Sequence, residues 1–189
     1  MDIQTQIAPA LDRTAISADP ADRYASLPQI ETWARVVMRR QPDVTIGTNY
    51  LRRWWIVPRN LFANVYLHEF RRSDDDRALH DHPWENSSYL IAGRYIEHTP
   101  EGQFLRAAGD FVTRPATARH RIELIAAQPV ISLFMTGPKI RDWGFHCPGG
   151  FVPWQDFVAR GDHGCVPFVQ CARCCGREGC GRAAWAIRG

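Results

Sequence analysis

The chain between Tyr50 and Thr136 predicts an all-β fold, an antiparallel sandwich or barrel. Short runs rich in β-branched and aromatic residues recur there, and turn residues close most of them: Pro58-Arg59-Asn60, Ser73-Asp74-Asp75-Asp76, Gly93, Pro100-Glu101-Gly102 and Ala107-Ala108-Gly109-Asp110. Seven Trp and nine Phe suit a packed sandwich or barrel, and a hydrophobic share of 45% is enough for one core in 189 residues.

Taken in order, residues 1–27 are polar, rich in Ala and Asp and without period, which reads as a loose arm. Ile30, Trp33, Val36, Val37 and Met38 then fall at helical spacing between Pro28, suited to a first turn, and Pro42, which ends the pattern. An amphipathic helix packed on the main body is expected there, so 1–45 forms an arm and helix. The expected strands are Tyr50–Ile56, Leu61–Phe70, Ala78–His82, Ser87–Ala92, Tyr95–His98, Phe104–Arg106, Phe111–Arg114, His120–Leu124 and Val130–Thr136. The Gly-, Pro- and Trp-rich stretch from Gly137 to Phe157 should wrap over an end or edge of the sheet, closing a barrel unit at 46–157. Residues 158–189 form an appendage carrying five of the six Cys.

A net charge of +3, from 23 basic and 20 acidic residues, is too balanced to argue for nucleic acid or an anionic membrane. Asp2, Asp12, Asp19 and Asp22 are unlike a secretory leader, and no run of about 18 apolar residues occurs. The expectation is a cytoplasmic, reduced protein acting on a small molecule, with a homodimer as the assembly considered. In that setting the Cys residues are not read as a disulfide framework.

The chemistry concentrates in two segments. His80-Asp81-His82-Pro83-Trp84-Glu85-Asn86 places two histidines at i and i+2, on one face of a strand. His120, from a neighbouring strand, would complete a three-nitrogen pocket for a divalent metal. The segments resemble the two motifs of the cupin superfamily. His80, His82 and Gly93 match G-x5-H-x-H-x3,4-E-x6-G, while Gly109, Pro115 and His120 match G-x5-P-x-G-x2-H-x3-N. The resemblance spans roughly residues 60–137 and implies a single double-stranded β-helix, a jelly-roll barrel. This chain departs from it where Asp74 replaces the leading Gly, Asn86 the metal-ligand Glu, Thr117 the second Gly and Leu124 the final Asn.

The resemblance is to three-His variants such as thiol and diketone dioxygenases. It implies Fe(II) on His80, His82 and His120, with Asn86 as a weak ligand or a hydrogen-bond partner of bound water. Three neutral imidazoles leave the ion its charge and leave positions open for a bidentate, anionic substrate and dioxygen. Two other readings stay open: a sugar or sugar-nucleotide isomerase or epimerase, with His80 or His120 paired to Tyr66 or Tyr89, and a non-catalytic ligand-binding barrel.

Around these residues, Tyr66, His68 and Phe70 share one strand face, and Asn86, Ser88 and Leu90 share another. Tyr66 and Arg77 are the candidate catalytic groups, with Arg114, Arg119 and Arg121 as further anion clamps. Phe111 and Phe134 would wall the pocket, and His146 or Cys147 could reach over it. The acidic run Asp74–Asp76 reads as a solvated turn. In the tail, Cys171 and Cys174 have zinc-knuckle spacing. With Cys165 and Cys180 (or Cys175, or His163) they would form a structural zinc site; free thiols or a disulfide are the alternatives.

Overall fold

The computed structural model describes residues 25–74, 78–160 and 165. The helix forms as expected: α1 (Leu27–Val37) is preceded by Ser26, whose backbone N–H donates to Gln29 Oε1 at 2.7 Å in a capping box. Its buried stripe, centred on Ala34, packs with Ile30, Val37 and Met38 against Trp54, Leu67, Ile91 and Ile131. Each large side chain buried there contributes roughly 1.5–3 kcal/mol. Trp54 Nε1 also donates to the Arg40 carbonyl at 3.0 Å, tying the end of the helix region to the sheet.

The strands are β1 (Val44–Ile46), β2 (Leu51–Trp55), β3 (Asn64–Phe70), β4 (Leu79–His80), β5 (Asn86–Ala92), β6 (Arg94–Thr99), β7 (Gly102–Ala107), β8 (Phe111–Arg114), β9 (Arg121–Leu124), β10 (Val130–Thr136), β11 (Gly144–Cys147) and β12 (Gly150–Pro153). A second helix, α2 (Trp154–Ala159), follows. One layer is a six-stranded antiparallel sheet in the order β1-β2-β3-β10-β5-β8. The other combines β7-β6-β9 with β4-β11-β12. Backbone bonds from Asp74 N to Ile122 O (3.0 Å), both ways between His80 and His120 (2.9 Å) and from His82 N to Ala116 O (3.1 Å) stitch these sets together. Leu90, Tyr95, Ile122, Leu124 and Val130 fill the space between the layers, giving the double-stranded β-helix. Gly93, at φ 82°, makes the β5–β6 turn where a Cβ would come within 2.7 Å of the Pro129 carbonyl.

Register sorts the large sheet's side chains. Arg53 pairs with His68, His68 with Ser132, Tyr66 with Phe134, Thr136 with Asn86 and Asn86 with Arg114, so all project from the inner face. Tyr89, on the opposite face, packs with the α1 cluster. Tyr89 therefore cannot serve as the acid partner of a histidine. Phe111 is likewise turned outward and 61% exposed, so it does not wall the pocket. The stretch expected to wrap over the barrel does so through a β11–β12 hairpin paired to β4.

The cover is fixed at both ends. Asp81 alternates away from its flanking histidines, accepts from Gly144 N (2.9 Å), and meets Arg141 (2.7 Å) and His146 Nε2 (3.0 Å). His146 is thus an anchor of the cover and does not reach the histidine pocket. Cys147 forms a disulfide with Cys165, which corrects two expectations. The pair is oxidised rather than reduced, and Cys165 has no thiolate to give a tail zinc site. Arg77, Asp75, Asp76, His163, Cys171, Cys174, Cys175 and Cys180 lie outside the described residues.

Candidate metal centre

His80 and His120 stand side by side because their backbones pair directly, and His82 joins them two residues along the same face. The rings form a nearly equilateral triangle, with centroid separations of 5.2 Å (His80–His82), 4.9 Å (His80–His120) and 5.1 Å (His82–His120). One ring nitrogen from each lies within 4.8 Å of the others. The Nε2 atoms of His82 and His120 are 2.9 Å apart. For metal–nitrogen bonds of about 2.1 Å, ligands at right angles sit about 3.0 Å apart and tetrahedral ligands about 3.4 Å. The observed separation is short enough for both nitrogens to reach one ion. The donor set fits a divalent ion of the imidazole-binding kind.

A carboxylate behind His120 sets which of its nitrogens faces inward. Glu97, on β6 and 1% exposed, takes His120 Nδ1 at 2.9 Å, Arg114 Nε at 2.7 Å and Arg106 Nε at 2.8 Å. The Nδ1–H of His120 is thereby used on Glu97, and its Nε2 is the ring nitrogen turned toward His82 and the shared site. Burial alone would raise the Glu97 carboxyl, but the His120 hydrogen bond and the Arg114 charge bring it down to about 2. Asp74 is buried, not solvated. It binds Tyr50 Oη and Ile122 N, and its Oδ2 stands 3.9 Å from His80 Nδ1. Burial lowers His80 to about 4 against the opposing Asp74 charge, and burial with the neighbouring imidazoles and arginines lowers His82 well below its ordinary value. Both rings are neutral near pH 7, as metal ligation requires.

Aromatic rings shield the centre. Trp84 stacks on His82 at 5.6 Å, Trp143 lies 6.4 Å from His82 and 6.3 Å from His80, and Phe134 is 6.0 Å from His82. A cavity of about 450 Å³ between the edges of β7 and β8 reaches Glu97, Arg114 and His120. This is room for a small molecule.

Solved double-stranded β-helix proteins are similar to this barrel. A conserved protein with that domain from Klebsiella pneumoniae is 16% identical, with a TM-score of 0.44 over 54% of this chain and 89% of that one. A cupin superfamily protein from Desulfitobacterium hafniense is 12% identical, with a TM-score of 0.41 over 50% and 84%. The DMSP lyase DddQ from Ruegeria pomeroyi is 14% identical, with a TM-score of 0.42 over 49% of each chain. No family model and no curated protein sequence matches the chain. Among the described residues no helix is long and apolar enough to cross a membrane.

Of the other candidates, Tyr66 lies buried on the inner face, 5.9 Å from the His68 ring and 4.6 Å below the Arg53 guanidinium. Asn86 is buried on the same face, and Arg114 is engaged by Glu97. Arg119 is exposed at the cavity rim, and Arg121 lies 3.6 Å from Glu123. Sequence reasoning missed Glu97, Asp74 and Arg53. For Glu97 the available signal was alternation with Tyr95 on a strand whose other face carries Ile96.

Proposed function

We propose that this chain is a mononuclear non-heme iron dioxygenase acting on a small, chelating, anionic substrate. The observation that carries the proposal is the convergence of three imidazoles, with no carboxylate grouped with them among the described residues. A ferrous ion held by His80, His82 and His120 would supply Lewis acidity and open coordination positions for substrate and dioxygen.

The chain's own residues then have defined tasks. Glu97 holds His120 in one tautomer and orientation. Trp84, Trp143 and Phe134 keep bulk water from the reacting groups. Arg53 is the anchor for the substrate's negative charge. It is half-buried, its Nε donates to His68 Nε2 at 2.8 Å, and it has no carboxylate partner among the described residues. Burial lowers its guanidinium to about 10, which still leaves it charged at neutral pH. Tyr66, beneath that guanidinium, is placed to position the same end of the substrate.

Oxygen-electrode measurements on anaerobically iron-loaded protein test this. Thiol carboxylates, diketones and 2-hydroxy acids are the substrates to screen. Substrate-dependent oxygen uptake that disappears in His82→Ala supports the proposal. Stoichiometric iron without uptake on any of the three classes counts against it.

A further inference from the structure

We propose that Asn86 and Thr136 form a neutral hydrogen-bonding end of the substrate pocket, selecting a hydroxyl or amide group beside the three histidines. This rests on the metal-centre reading above and adds the part of the substrate that Arg53 does not address.

Asn86 is 3% exposed and Thr136 is 5% exposed. Both amide atoms of Asn86 and the Thr136 hydroxyl are buried without a hydrogen-bond partner among the described residues. Buried polar groups are nearly always paired, so adjacent orphans on one face point to a ligand. The two are register partners on β5 and β10, which puts their side chains on the same inner face. The next partner of Asn86 across the ladder is Arg114, whose guanidinium is taken by Glu97 and Ser88. Phe134, two residues from Thr136 on that face, touches His82. The orphans therefore share the inner face of the large sheet with Phe134, whose ring lies 6.0 Å from that of His82.

Their chemistry is selective. The Asn86 carboxamide offers two N–H donors and one acceptor, and the threonine hydroxyl can do either. A carboxylate only accepts, so it would leave Asn86 Oδ1 facing another lone pair. An ammonium only donates, so it would leave the amide N–H groups unpaired. A hydroxyl or amide satisfies both sides. Arg53 is directed at an anion by contrast, and its ladder partner His68 pairs with Ser132, four residues or roughly 13 Å along β10 from Thr136. The predicted substrate class has an anionic end and a neutral hydroxyl- or amide-bearing end.

The test uses cobalt(II)-loaded protein, its visible absorption, and two small probes: acetohydroxamate, which donates and accepts, and acetate, which only accepts. Asn86→Leu and Thr136→Val keep approximate size, and their thermal midpoints and cobalt content check folding and the metal site. The expected result is a tenfold or greater loss of acetohydroxamate affinity in each variant, with acetate affinity within twofold of the parent. Unchanged acetohydroxamate affinity in cobalt-loaded variants overturns the proposal and leaves the metal centre standing. Failure of the parent to take up cobalt overturns both.

Discussion

Removing the charge of Glu97 should weaken both the barrel and its metal centre. The Glu97 side chain is 2% exposed and faces two guanidiniums, Arg114 at 2.5 Å and Arg106 at 2.8 Å, together with His120 Nδ1 at 2.9 Å. Glu97→Gln keeps the shape and one acceptor oxygen but leaves the buried Arg114, 6% exposed, without a counter-charge. Deleting one partner of a buried pair costs about 3–5 kcal/mol, and the retained acceptor places this variant near about 3 kcal/mol. At this chain length that corresponds to a fall of roughly 6–12 °C in the unfolding midpoint. The amide also binds His120 Nδ1–H less strongly than a carboxylate does. Loss of such an outer partner typically lowers metal affinity about 10–100-fold. Urea unfolding of metal-free protein at pH 7 reads the first effect, and titration against a chelator of known affinity reads the second. A variant within about 0.5 kcal/mol of the parent, with unchanged metal affinity, would refute the reasoning.

Acid should destabilise the metal-free protein between about pH 6.5 and pH 4. His80 titrates near 4 when folded and near 6.5 when unfolded, so in this window the unfolded chain binds the extra proton and stability falls with falling pH. That ring alone contributes about 3 kcal/mol of loss. His82 and His68, both lowered by burial, add with the same sign, and denaturation midpoints at stepped pH check it. Asn86→Glu should add a carboxylate on the inner face and raise affinity for divalent metal by at least about tenfold, read by the same chelator titration. Cys147→Ser should remove the link to Cys165 and lower stability by about 2–4 kcal/mol. Thiol counting before and after reduction gives an independent check.

The histidine triangle was legible because alternation puts His80 and His82 on one face, and the second motif supplied His120, whose backbone pairs with that of His80. The helix was legible from its period and its flanking prolines, although of the expected stripe only Ile30, Val37 and Met38 pack on the sheet, while Trp33 and Val36 are exposed because Ala34 centres the buried face. What escaped depended on pairing across the fold. Asp74 sits in an acidic run that reads as solvated until Tyr50 and the Ile122 amide enclose it. Arg53 lies in Leu-Arg-Arg-Trp-Trp, where neither face is marked by period, so only its register with His68 reveals the inward arginine. Phe111 begins a four-residue edge strand, too short for alternation to outweigh the pull of an aromatic toward the core. The cover hairpin was masked by Gly and Pro residues, including Gly144, which lies so close to β12 that a Cβ would strike the Val152 carbonyl.

X-ray absorption at the metal edge tests the central claim most directly, using purified protein loaded with one equivalent of iron(II), alongside His120→Ala. The account predicts about three imidazole nitrogens near 2.1 Å in the parent, and fewer imidazoles with weakened metal retention in the variant. An identical spectrum and equal retention in His120→Ala would contradict it.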